Sequence, residues 1–142
     1  MITDHYIAAD EMVDLFRVAV GAAWPIEWPN LAFEKPDASA TWARWSVIHA
    51  TGGQSSLAGA HGRSRFSKGG SIQIEVFTPL GVGVKVAYDA AQIAINAYEG
   101  KRTPSDVWFR NVRIDDEGQG RGGDAAWWCS VVIADYTYDN TN

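Results

Sequence analysis

Two stretches of helical period, each followed by two stretches of alternating period, constrain this chain more than any other feature of its sequence. From about Asp4 to Gly21 the apolar positions Ala8, Met12, Leu15, Phe16 and Ala19 recur at the three-and-four spacing of one buried helix face. Thr3 or Asp4 can cap the start and Gly21 the end. From about Val84 to Glu99 an alanine-rich stretch repeats the pattern at Val86, Ala90, Ile93 and Ala97, with Gly100 behind it. Between the helices, "TWARWSVIHA" (41–50) and "SIQIEVFTP" (71–79) alternate and are rich in β-branched and aromatic residues. After the second helix, "SDVWFRNVRIDD" (105–116) and "DAAWWCSVVIADYTYD" (124–139) read as strands around the polar turn "EGQGRGG". The order α-β-β-α-β-β predicts an α+β fold, a four-stranded and mainly antiparallel sheet with both helices packed on one face. No linker divides the chain, so residues 1–142 are expected to form one domain.

Two segments break this regularity. "AWPIEWPN" holds two Trp-Pro steps, which force extended backbone and exclude both helix and central strand. "TGGQSSLAGAHGRSRFSKGG", about residues 51–70, has no period and consists of glycine, serine and basic residues. It predicts a long flexible loop, of a length that in compact domains is functional or disordered.

Composition excludes several classes of function. The formal charge of −5 and sequence pI near 5.0 argue against a dedicated binder of phosphate backbone, while an acidic surface would repel DNA that must slide past. A single cysteine, Cys129, inside an apolar run, rules out an internal disulfide framework and reads as a small buried hydrophobe. No apolar stretch is long enough for a membrane span, and the N-terminus lacks the features of a signal peptide, so synthesis in the cytoplasm is expected.

A search for chemistry returns little. His5, His49 and His61 are scattered and none has a cysteine or carboxylate at metal-ligand spacing. No nucleophile elbow, phosphate loop or dinucleotide fingerprint occurs, and "GQGRGG" joins two strands rather than a strand and a helix. Neither catalytic residues nor a cofactor or metal site is therefore expected. Asp115, Asp116 and Glu117 cluster at a strand end, as a cation or acid–base site or simply as solvated carboxylates. Arg63, Arg65 and Lys68 surround Phe66, a pattern that suits single-stranded nucleic acid or, better with an acidic whole, contact with a protein. Seven tryptophans, Trp24 and Trp28 among them, exceed what a small core holds comfortably; they are strand and core residues or anchors for protein contact.

The N-terminal helix, the "WP" and "WPN" steps from Trp24 to Asn30, and Trp42 with Arg44 in the first strand form a recognisable set with the glycine-rich loop, "GGSIQIEVFTPLGVG", the alanine-rich helix and the closing "YTYD". Over nearly the whole chain they resemble the tail terminator proteins of tailed phages, including the minor tail protein U type. That resemblance implies a non-enzymatic subunit of a hexameric ring in the virion neck. Such a ring is assembled in the host cytoplasm, caps the tube made by the major tail protein, ends its polymerisation and meets the head–tail connector. Genomic DNA would pass through its lumen without specific binding, and no membrane is involved. The loop 51–70 would order on assembly, with Arg63, Arg65, Phe66 and Lys68 as contacts and Asp115, Asp116 and Glu117 as their partners on a neighbour. Trp24 and Trp28 would be further anchors. The alternatives are another neck or tail-tube structural protein, or a small ferredoxin-like ligand-binding module. Tube proteins carry a longer hairpin for stacking, which the sequence does not reveal.

Overall fold

A computed structural model describes residues 5–54 and 65–141 of the chain. Helix α1 spans His5–Val20, followed by β1 (Ile26–Glu27), β2 (Trp42–Gln54) and β3 (Arg65–Pro79). Helix α2 spans Val84–Tyr98 and precedes β4 (Trp108–Gln119), a short 3-10 turn at Arg121–Gly123, and β5 (Trp127–Thr141). The α+β class matches the sequence reading, and the element order matches it apart from the added strand β1. The sheet differs: it has five strands in the order β1-β2-β3-β5-β4, and it is mixed, because β1 runs parallel to β2. The extra strand comes from the Trp-Pro segment. Pro25 and Pro29 confine it to two residues at the sheet edge, pairing Ile26 with Ala43 and Glu27 with Arg44.

Both helices pack on one face of the sheet. Ala8, Met12, Phe16 and Val20 of α1 join one core with Ala43 and Trp45 of β2, Ile72, Ile74 and Val76 of β3, and Val132 and Ala134 of β5. Helix α2 contributes Ala87, Ala90, Ala91, Ala94, Ala97 and Tyr98. Its buried face is thus rotated from the predicted one. Ile93 is half-buried and Val86 lies exposed, because alanines let the helix axis approach the sheet more closely than valine would. On α1, Val20 is buried where Ala19 was expected.

One polar network lies inside this core. The Tyr98 hydroxyl donates to the carbonyl oxygen of Met12 at 2.7 Å and accepts from Trp45 Nε1–H at 2.8 Å. It ties α2, α1 and β2 together, and burial raises its pKa far above the ordinary phenolic range. Phenylalanine at position 98 would leave the buried Trp45 N–H without its acceptor and remove the hydroxyl donor from the Met12 carbonyl. Tyr98→Phe is expected to lower unfolding free energy by about 2–3 kcal/mol, read from urea denaturation.

The opposite face of the sheet is covered at one end. Trp42, Phe77, Trp127 and Cys129 form a second apolar cluster, capped by Phe33 from the segment before β2. Trp42 stacks on Phe77 with ring centroids 4.0 Å apart and planes 10° apart. The cover is latched by Trp127 Nε1–H donating to the Ala40 carbonyl at 3.0 Å and by Lys35 paired with Asp124 at 2.6 Å. Burial, with Glu75 adding to it, pushes the Cys129 thiol up to about 12. The native chain should therefore resist iodoacetamide at pH ~8 and react only once unfolded; rapid labelling under native conditions would contradict this burial.

Candidate assembly surfaces

Half of the segment read as a loop from 51 to 70 is strand. Strands β2 and β3 remain paired to Gln54 and Phe66, past an irregularity between His49 and Thr51. Strand β5 accompanies β3 as far as Arg65, opposite Thr141. Only residues 55–64 of the expected loop, Arg63 among them, lie outside the described residues. The sheet thus carries a long hairpin arm after all. Arg65, Phe66 and Lys68 are ladder positions on that arm, and the Lys68 ammonium lies over Gly52, 3.1 Å from where a Cβ would sit there.

Asp115, Asp116 and Glu117 belong to β4 rather than to a turn, beside an irregularity between Ile114 and Asp116. Each has a partner within the chain. Asp115 faces Arg113 at 3.7 Å, Asp116 faces Arg121 at 3.2 Å, and Glu117 accepts from the Tyr88 hydroxyl at 2.8 Å. That hydrogen bond, with the nearby charge, raises the Tyr88 pKa. The arm and this acidic stretch sit toward opposite ends of the sheet, since Asp116 lies against Val131 and Arg65 against Thr141.

Trp24 and Trp28 direct their rings inward. Both meet Phe16 edge-on, and Trp28 also contacts Trp45. They remain half-buried, with the Arg17 guanidinium over Trp28 at 5.5 Å. Trp42, Trp45 and Trp127 are buried, and Trp108 is 57% exposed beneath Arg102. Five of the seven tryptophans are thus absorbed by two clusters on opposite faces of the sheet, an arrangement that composition does not disclose.

Three surfaces were not foreseen. The β3–α2 connection and first turns of α2 expose Leu80, Val82, Val84, Val86 and Tyr88, next to a hollow of about 250 Å³ between Pro79, Gly83 and Trp128. An exposed apolar cluster of this kind marks a contact site. The signal was present in "LGVGVKVAY", but it reads equally as a buried helix start. Second, no described strand pairs with the outer side of β2 beyond Arg44, which leaves Trp45–Gln54 as an open edge. The other edge, β4, is kinked by two irregularities, and Asn111 adopts φ 53° there. Third, a groove of about 540 Å³ runs between α1 and α2.

At the closed end of the helix-free face, Arg44 is held by Glu27 at 3.1 Å and Glu75 at 3.5 Å, over the rings of Trp42 and Phe77. Burial opposes its charge, but the two carboxylates outweigh that and hold its pKa above the ordinary value. The node fastens β1, β2 and β3. His5 and His49, unrelated in sequence, come together with ring centroids 5.1 Å apart, and Tyr138 and Tyr136 hydroxyls meet their Nδ1 atoms. Among the described residues no three histidine, cysteine or carboxylate groups converge as metal ligands, and no helix is long and apolar enough to cross a membrane.

A family model described as phage tail terminator protein matches residues 8–136. No curated protein matches the chain. One solved chain, 21% identical, aligns over 91% of this chain and 94% of its own with a TM-score of 0.59. Another, from the virion of a native gene transfer agent particle, is 12% identical over 96% of this chain and 100% of its own, with a TM-score of 0.53. At these identities the two structures show a shared fold.

Proposed function

The chain belongs to the phage tail terminator family, a family of structural tail proteins, and from that premise we propose that its subunits close into a ring at the end of the tail tube. The ring ends polymerisation of the major tail protein and presents its other side to the head–tail connector in the virion neck. Six copies is the number that the resemblance in sequence implies. The observation that carries this reading is the unlikeness of the two sheet edges. A closed ring needs two different, mutually fitting surfaces on each subunit. Here the open edge of β2 and the kinked edge of β4 lie on opposite sides of one sheet. The exposed apolar segment from Leu80 to Tyr88 supplies a third surface, suited to a partner stacked on the ring. Assembly occurs in the host cytoplasm and DNA crosses the lumen unbound.

Native mass spectrometry and electron microscopy of the purified chain, alone and mixed with tail tubes, test this reading. Rings that cap tubes and stop their growth support it. A chain that stays monomeric and leaves tube elongation unchanged overturns it. The long β2–β3 arm favours one other reading, a subunit of the tube itself; stacked, elongating rings of this chain alone would establish that instead.

A further inference from the structure

The fold brings His5, the first residue of α1, against His49 of β2, although the two lie far apart in sequence. Both side chains are exposed, with ring centroids 5.1 Å apart and planes 84° apart. Two imidazoles bound to one tetrahedral ion at about 2.0 Å set their centroids about 5 Å apart, and crossed planes keep the ring edges clear of each other. The pair thus already stands at the spacing that a shared ion requires.

The nitrogen that each ring offers is fixed from behind. Tyr136 of β5 crosses Gly70, where a Cβ would come within 2.9 Å of its hydroxyl. That hydroxyl reaches both the Ile48 carbonyl at 3.2 Å and His49 Nδ1 at 3.1 Å. Burial, with Tyr138 adding to it, pushes the Tyr136 pKa up to about 12, so the hydroxyl keeps its proton. A carbonyl only accepts, so the proton goes to Ile48 and His49 donates its Nδ1–H to the hydroxyl oxygen. Nε2 of His49 then carries the lone pair. The Tyr138 hydroxyl takes up His5 Nδ1 at 2.7 Å, which leaves Nε2 as the outward nitrogen there too. Neither Nε2 has a hydrogen-bond partner among the described residues. An imidazole whose second nitrogen is held by a neighbouring polar group is the arrangement of metal-bound histidines.

We propose that His5 and His49 bind one transition-metal dication of the zinc, nickel or copper class through their Nε2 atoms, with solvent completing its coordination. Neutral imidazoles suit these ions and not magnesium or calcium, which take oxygen ligands. With two protein ligands the site exchanges its ion, unlike a closed four-ligand site. The ion fastens the start of α1 to β2, beside the irregularity at which the arm begins. No motif spacing announces the site, because α1 and β2 meet only in the folded chain. The contact lies within one chain and holds whether or not rings form.

Isothermal titration calorimetry of Zn²⁺, and separately of Ni²⁺, into the metal-free full chain tests the site. One ion per chain is expected, with binding weakened about tenfold or more in His5→Ala and in His49→Gln and unchanged in His61→Ala. Tyr136→Phe keeps both imidazoles but removes the acceptor of the His49 Nδ1–H, and should weaken binding about tenfold. Thermal melting gives a second reading: Zn²⁺ should raise the Tm of the wild-type chain and not that of His5→Ala or His49→Gln. A wild-type chain that binds neither ion overturns the proposal. So does binding that survives both histidine substitutions, or that falls equally in His61→Ala.

Discussion

Replacing Gly70 with alanine should destabilise the protein by about 3 kcal/mol or more, the summed effect of overpacking and a lost buried hydrogen bond. A Cβ at Gly70 would lie 1.8 Å from the Ile48 carbonyl oxygen, 2.9 Å from its carbon and 2.9 Å from the Tyr136 hydroxyl. The obstruction is backbone, so no rotamer change relieves it. Strand β2 reaches over Gly70 just before its irregularity at His49, and the Tyr136 hydroxyl donates to that same Ile48 carbonyl at 3.2 Å. Alanine must push β2 outward, break this bond and loosen the ladder where the arm begins. Urea denaturation of Gly70→Ala measures the loss. Gly52→Ala is the control, because there a Cβ meets only the movable end of Lys68, and its cost should stay within about 1 kcal/mol. Equal stabilities for the two variants would show that β2 does not cross so closely.

Trp42→Ala is expected to cost about 4 kcal/mol, the range for emptying a large aromatic site in a packed core. Trp42 is fully buried between Phe33 and Phe77, with Trp127 edge-on at 5.6 Å. Removing it leaves Phe77 without a stacking partner and takes the apolar surface from under Arg44. The segment carrying Phe33 then has little to cover, so its latches at Ala40 and Lys35 should loosen as well. Among the described residues its indole N–H has no hydrogen-bond partner, so Trp42→Phe should cost much less, about 1–2 kcal/mol. Trp108→Ala, on an exposed ring, should change stability by less than about 1 kcal/mol. A small loss for Trp42→Ala would mean that the helix-free face holds no true core. Comparable losses at 42 and 108 would mean the same.

Much of this architecture is legible in the chain because side-chain periodicity reports which face is buried. The helices end within about a residue or two of the expected positions, and Ile72, Ile74 and Val76 fall on the core side as their alternation requires. The motifs around the Trp-Pro steps, the alanine-rich helix and "YTYD" carried the tail terminator resemblance, and the family match over residues 8–136 agrees with it. The arm was misread for the opposite reason. Its pairing at Thr51–Gln54 and Arg65–Gly70 is made by backbone groups common to every residue, and glycine and serine give no hydrophobic alternation to reveal it. The burial of Phe77 beside polar Gln73 and Glu75 depends on Phe33, more than 40 residues away, folding across the sheet.

The sequence by itself thus determined the class of fold, the order of its two helices and four long strands, the absence of familiar catalytic motifs and the family. Each follows from local pattern, which a chain carries before it folds. Tertiary structure alone decided that the sheet has a fifth, parallel strand and that the Trp-Pro segment supplies it. It also decided that the carboxylates of β4 are answered within the chain, and that Asp10 and Asp14 overlook a groove beside Val18. Those outcomes depend on which distant residues share a surface, and periodicity tells only that a face is buried, not what lies against it.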